Sequence, residues 1–208
     1  MKADYNGYGG VDRWIRESFF TDWEYKGVMV EVGGGLPDWI NNSYHWRING
    51  WKTLCVEPNP LFAQRHREMG SEVWEGACAD WSGDGHFIIV GESERGDGSQ
   101  HSFSHLSGSD WNMNSSMRDI YLSTEKREIP IKVRTLTEIL TECGIESVDI
   151  LSIDVEGGEI GVLKGLDWER WRPKVIQIEN ITHNDYQPYL NGYHKVEDKG
   201  GDEIWIPN

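Results

Sequence analysis

Basic residues are scarce in this chain. Its 208 residues hold 20 Lys and Arg against 35 Asp and Glu, a formal net charge of −15. A duplex-binding domain carries a basic face, so this balance speaks against nucleic acid as a partner. It speaks equally against an anionic membrane surface. Long apolar runs are lacking too, and no stretch reaches the roughly 20 residues of a membrane-spanning helix. The opening Met-Lys-Ala-Asp-Tyr-Asn-Gly has no apolar segment of the secretory kind. Cysteine is sparse: Cys55, Cys78 and Cys143 are odd in number, widely spaced and without a C-x-x-C pair. That excludes a disulfide framework or a cysteine zinc site and points to reduced, buried thiols in a cytoplasmic setting. No G-x-x-x-x-G-K-[ST] occurs, so a phosphate-cradling NTPase is unsupported.

What the chain does have is a folded composition, 38% hydrophobic and 26% charged, with 24 Gly and 11 Trp. Its length suits a single domain over residues 1–208. Residues 12–20 read as an amphipathic helix, 28–32 as a strand and 38–48 as a helix capped by Asp38. Strands follow at 53–57, 72–77, 86–90 and 130–134. Thr135-Leu-Thr-Glu138 has capping-box spacing for a helix ending near Gly144. Residues 148–154 form the most apolar strand, with a helix over 158–164 after it and another strand at 174–179. A hairpin closes the chain, pairing 193–197 with 203–206. Residues 91–116 are rich in Gly, Ser and Asp with little periodicity, and 91–128 read as an insertion, a candidate lid over an acceptor. Strands alternating with helices predict an α/β, doubly wound, mostly parallel sheet with an antiparallel C-terminal hairpin.

In such a sheet, ligands bind beyond the carboxyl ends of the strands. Four strands end in an acid there: Glu31, Glu57, Asp154 and Glu179. Gly33-Gly34-Gly35 follows the first strand and lets a ligand approach the backbone. The G-x-G-x-x-G dinucleotide pattern is broken, because Asp38 stands where its last Gly belongs. A carboxylate at Glu57 can accept both hydroxyls of a ribose. Together these features predict a nucleoside-type ligand.

Glu31-Val-Gly33, Asn42-Ser43, Gly50-Trp-Lys52, Cys55-Val-Glu-Pro-Asn-Pro60, Asp149-Ile-Leu-Ser-Ile-Asp-Val-Glu-Gly-Gly-Glu159 and Val162-Leu-Lys-Gly165 resemble the FkbM family of S-adenosylmethionine-dependent methyltransferases. The resemblance runs from about Asp12 to Glu179. In place of the family's Gly-Ala-Asn after the first Gly, this chain has Gly34-Gly35-Leu36-Pro37. It implies a seven-stranded class I methyltransferase sheet. It also implies that Glu31, Gly33 and Gly35 line the methionine end of S-adenosylmethionine, that Glu57 holds the ribose, and that Asn59, Ala79 and Asp80 lie near the adenine. Asp154 would sit closest to the methyl group. The family's usual reaction implies transfer to a hydroxyl of a carbohydrate or glycosylated small molecule.

An alcohol needs a base or a metal to become a nucleophile. His183 is one base, because imidazole titrates near neutral pH. Asp154, Glu179 and Asn180 are oxygen donors suited to Mg²⁺ or Ca²⁺, similar in position to the magnesium site of catechol O-methyltransferase. Glu156 could face the acceptor, while Glu159 would brace the loop. His101 to His105 are lid candidates, and Tyr5, Trp39, Trp46 and Trp111 are candidates for stacking on sugar. Two alternatives stay open: a binding module of the same fold without catalysis, and a nucleotide-sugar oxidoreductase. The latter lacks both the third Gly and a Tyr-x-x-x-Lys pair.

Overall fold

The computed structural model describes residues 2–91, 103–109, 115–181 and 183–208. Helix α1 (Val11–Phe19) leads into β1 (Val28–Val32), α2 (Tyr44–Ile48), β2 (Lys52–Val56), α3 (Pro60–Glu68) and β3 (Glu72–Trp74). After β4 (Ala77–Cys78), β5 (Gly83–Val90), β6 (His105–Leu106), α4 (Ser115–Ser123) and β7 (Lys126–Arg134) come α5 (Leu136–Glu142), β8 (Ile150–Ile153), α6 (Glu159–Lys164) and β9 (Val175–Glu179). The chain closes with β10 (Tyr193–Lys199) and β11 (Asp202–Pro207).

Seven strands form one sheet in the order β10-β11-β9-β8-β1-β2-β3. β3, β2, β1, β8 and β9 pair in parallel, β11 runs antiparallel to β9, and β10 closes the hairpin. The chain moves outward from β1 to β3 and then returns beside β1 as β8, so the order reverses between β1 and β8. This is compatible with a doubly wound, Rossmann-like sheet. Alternation along the strands gives each face its core. Val30, Leu54, Leu151 and Ile176 face α5 and α6, while Met29, Ile150, Val175 and Ile204 face α1 and α2.

The second face changes character along its length. Met29 is followed two residues later by Glu31, Ile150 by Ser152, and Val175 by Gln177 and Glu179. The antiparallel β11 reaches Asp202 at the same level, opposite Glu179. The face is therefore apolar at the amino ends of the strands and polar at their carboxyl ends.

Three expectations need correction. The helix foreseen over 38–48 is helical only over Tyr44–Ile48. Ile40 adopts φ 46°, and the N–H groups of Asn42 and Ser43 donate to the buried Glu31 carboxylate instead of entering a helix. The strand foreseen over 72–77 splits at Gly76, whose φ of 154° sends β4 to another sheet. The stretch 91–128 contains β6, α4 and the start of β7. The long β5–β7 antiparallel pair, extended by β4 and β6, forms a second, four-stranded sheet beside the cavity described next.

Candidate functional site

A cavity of about 1040 Å³ opens at the carboxyl ends of the central strands. Glu31, Glu57, Asp154 and Glu179 all line it, with Gly33–Gly35 and Asp202. The acids meet there because each stands at or just past the carboxyl end of a neighbouring parallel strand.

Glu57 follows β2 and is 4% exposed. Its Oε1 accepts from the Asn59 N–H at 2.7 Å and its Oε2 from the Gly35 N–H at 2.8 Å. Each oxygen keeps further lone-pair capacity toward the cavity. Burial raises its pKa to about 8, against the pull of those two N–H bonds. Asn59 uses its side chain as the cap of α3, accepting from Leu61 N–H at 3.1 Å. Ala79 and Asp80 line the same wall.

Gly33 and Gly35 have distinct reasons to be glycine. Gly33 has φ 84°, and a Cβ there would overlap the carbonyl oxygen of Asp154. Gly35 has φ 52°, and a Cβ there would meet nothing within 4 Å. The first glycine packs the loop against the end of β8, and the second leaves space beside Glu57. Glu31 is occupied: both its oxygens accept from Asn41 Nδ2, and Oε1 also accepts from Asn42 and Ser43 N–H. Its physical effect is to pin the 41–43 loop. Glu31, Cys55 and His66 bring potential ligand atoms within 4.8 Å of one another. His66 Nε2, however, faces the carbonyl oxygens of Gly34 and Gly35 at 3.4 and 3.2 Å, so it supports the glycine loop as a donor.

Carboxylates crowd the other end. The β8–β9 register pairs Ile153 with Ile178. One residue further it sets Asp154 beside Glu179, and Asp202 lies opposite Glu179 on β11. Asp154 and Glu179 are hydrogen-bonded side chain to side chain. Asp154, Glu156 and Glu179 bring carboxylate oxygens within 4.8 Å of one another. Burial first, and then repulsion from neighbouring carboxylates, raises all three pKa values, that of Asp154 to about 8, with Asp202 and Glu159 as its main repulsive neighbours. Burial also raises Asp202, to about 7. Glu159 braces the turn, its Oε1 accepting from Val155 and Gly157 N–H at 3.3 and 3.0 Å.

These shifts carry a sign. Unfolded carboxyls lose their protons near pH 4, whereas Asp202, Glu57 and Asp154 keep theirs up to about 7, 8 and 8, and Glu179 keeps its proton beyond that. The folded state therefore binds more protons over that range, and stability falls as pH rises through it. Buried His45, His66 and His105 are held neutral, and they oppose this trend only below about pH 6.5, where an unfolded histidine protonates. The ligand-free protein is expected to melt roughly 5 °C or more lower at pH 9 than at pH 6.5. Thermal denaturation followed by circular dichroism reads this, and a flat or rising profile contradicts it.

Several site expectations are relocated. Asn180 does not offer its side chain to a metal. Its Nδ2 donates to Glu203 Oε1 and the Asn184 carbonyl, and its Oδ1 accepts from Asn184 N–H. Glu156 brings a carboxylate oxygen within 4.8 Å of those of Asp154 and Glu179. His183 is exposed on the turn that Asn180 ties, with φ 58°, and it does not line the cavity. Trp46 is buried in the core behind the sheet, and Tyr5 stacks on His45 at a centroid distance of 4.3 Å, outside the cavity. Trp39, Phe103 and Ser104 do line the cavity, while buried His105 packs beside Tyr121. His101, Ser102 and Trp111 lie outside the described residues. Tyr8, Trp81 and Asp202 are lining residues that the sequence reading missed. Trp81 had a signal, since it directly follows the Ala79-Asp80 turn. Among the described residues, no helix is long and apolar enough to cross a membrane.

A glycine loop at a switch point, a buried carboxylate just past the next strand and an acidic wall on the two after it together line one cleft. Residues 26–198 match the Methyltransferase FkbM domain, and the chain belongs to that family. It is similar to "Methyltransferase sdnD" of Sordaria araneosa, with 31% identity over 84 residues covering 36% of this chain and 32% of that protein. It is also similar to "Methyltransferase 1" of Beauveria bassiana (strain ARSEF 2860), with 41% identity over 51 residues covering 24% of this chain and 20% of that protein. The match thus spans about a third and a fifth of these curated relatives' lengths. No solved structure matches the chain.

Proposed function

We propose that this chain is an S-adenosylmethionine-dependent O-methyltransferase, built on a class I methyltransferase sheet, that acts on a hydroxyl of a carbohydrate or glycosylated small molecule. The observation that carries the reading is the pairing of Glu57 with Gly35. A buried carboxylate with spare lone pairs stands beside a glycine whose Cβ position is open. That acceptor pair and the open space beside it fit a ribose and the chain attached to it. Gly33 to Gly35 would lie under the methionine end, Glu57 would accept from the ribose hydroxyls, and Ala79 and Asp80 would flank the adenine. Numbered along the chain within their own sheet, the strands run 3-2-1-4-5-7-6 with the seventh antiparallel, which supports the class I reading.

Bound there, S-adenosylmethionine supplies a methyl group on a positively charged sulfur that keeps the carbon–sulfur electron pair. The acidic wall must handle the acceptor. Asp154, at the acceptor end of the cavity, presents a carboxylate oxygen that can take the proton the hydroxyl loses as its oxygen gains the methyl group. Glu179, hydrogen-bonded to it, holds that carboxylate in place. The exposed aromatic rim of Tyr8, Trp39 and Trp81 supports a ring-shaped acceptor, because aromatic faces suit the apolar side of a sugar.

The test is transfer of labelled methyl from S-adenosylmethionine to a panel of glycosides, their aglycones and free sugars. Transfer to glycosides is expected. Asp154→Asn should lower it by about 10² to 10⁴-fold, with S-adenosylhomocysteine affinity within threefold of wild type. Cofactor binding without transfer to any hydroxyl would leave a binding module. An Asp154→Asn rate equal to wild type would remove Asp154 from the chemistry.

A further inference from the structure

The acidic wall holds more carboxyl groups than its protein partners account for. Glu159 is satisfied by two backbone N–H groups, and Asp202 by Gln177 Nε2 at 3.0 Å. Asp154 and Glu179 share one hydrogen bond with each other. None of the ion pairs among the described residues involves Asp154, Glu156 or Glu179.

Glu156 is the residue that this bonding does not explain. It is 8% exposed, and its Oε2 is buried without a hydrogen-bond partner. Its backbone sits at φ 55°, a region that residues with a side chain rarely adopt, and Gly157 follows at φ 93°. Burying an unpaired carboxylate is costly, and left-handed backbone adds to that cost. Two local penalties at one residue, both aiming a carboxylate at two others, call for a ligand of opposite charge.

We propose that Asp154, Glu156 and Glu179 form a binding site for one hard divalent cation of the Mg²⁺, Mn²⁺ or Ca²⁺ class. The donor set is all oxygen, with no thiolate or imidazole within the cluster, and this selects hard ions over zinc or copper. Asp202 and Glu159 surround the site with further negative charge. All three ligands line the cavity, so an ion held by them keeps a face open to whatever occupies the acceptor end. The site rests on side-chain geometry alone. Only its use, holding an acceptor oxygen, depends on the methyl-transfer reading.

The experiment uses the full chain stripped with a chelator and dialysed. Mn²⁺ is titrated in, read by electron paramagnetic resonance and calorimetry, with Mg²⁺ and Ca²⁺ as competitors and Glu156→Gln beside wild type. The expected result is one saturable Mn²⁺ per chain, displaced by Mg²⁺ or Ca²⁺ and bound at least tenfold more weakly by Glu156→Gln. The variant removes a buried carboxyl with an unpartnered oxygen, so its ion-free melting temperature should be no lower than that of wild type, and lost binding cannot then be lost folding. Glu156→Gly, which also relieves the backbone, should behave the same way. The absence of saturable binding, many weak ions per chain unaffected by either variant, or undiminished binding by Glu156→Gln would each overturn the site. Mn²⁺ binding without S-adenosylmethionine binding would keep the ion and discard the transfer reading.

Discussion

Glu57→Ala is expected to weaken binding of S-adenosylhomocysteine at least 100-fold by calorimetry. The carboxylate is buried and already oriented by the N–H groups of Gly35 and Asn59. At pH 8.5, where Glu57 is ionised, a ribose entering beside it meets two fixed charged acceptors. Hydrogen bonds to a charged group contribute about 1.5–3 kcal/mol each, so losing two exceeds the 2.8 kcal/mol or so that a 100-fold change requires. Alanine also leaves two backbone donors unpaired at the mouth of the glycine loop, which adds to the loss. A pH profile separates this electrostatic role from a structural one. The pKa of Glu57 is raised to about 8, and only its ionised form accepts from both hydroxyls. Affinity for methylthioadenosine, which lacks the titrating amino-acid end, should therefore weaken as pH falls from 8.5 to 6.5. Glu57→Gln should bind more weakly than wild type throughout and show a flat profile there. A Glu57→Ala protein that binds as tightly as wild type would remove the ribose role and with it the main support for the proposed cofactor.

The strand pattern and its acids are legible in the sequence because both follow from local rules. A parallel strand is a short apolar run, and its carboxyl end is where a polar residue can first meet solvent or ligand. Glu57 and Asp154 could be found on that basis, and so could the capping box at Thr135 and Glu138, which the structure contains. Long-range capture was not legible. Residues 38–43 carry a helical pattern, yet Glu31, on a strand behind them, takes the N–H groups of Asn42 and Ser43 and holds that stretch out of the helix. The second sheet was hidden for a related reason. Gly83, Asp84 and Gly85 open β5 without alternation, and β7 runs largely exposed over Lys126–Ile131, so neither half shows its partner. Asp202 and Glu156 join the acidic wall through a hairpin register and a left-handed turn, and spacing along the chain encodes neither. Asn180 had the right position on the sheet, but its side chain is spent on closing its own turn.

Two glycines separated by one residue should fail in opposite ways. Gly33 is pinned on both sides: its N–H donates to Val56 O at 2.9 Å, and the Asp154 N–H donates to Val32 O at 2.9 Å. A methyl group at Gly33 would overlap the Asp154 carbonyl, which is backbone in the middle of the sheet and cannot rotate away. The left-handed φ adds a penalty of about 1–2 kcal/mol. Gly33→Ala is therefore expected to cost about 3 kcal/mol or more, a fall of roughly 10 °C in melting temperature for a chain of this length. Gly35 has the same kind of backbone but open space at its Cβ. Gly35→Ala should cost only the conformational penalty, a shift of roughly 5 °C or less. Its methyl group stands beside Glu57, where the ligand chain would approach. The folded Gly35→Ala protein should thus bind S-adenosylhomocysteine at least tenfold more weakly, while Gly33→Ala shows its defect first in thermal melting without ligand. Equal melting losses in the two variants would mean that backbone conformation alone, rather than the Asp154 carbonyl, makes Gly33 a glycine. Undiminished affinity in Gly35→Ala would move the ligand away from the loop.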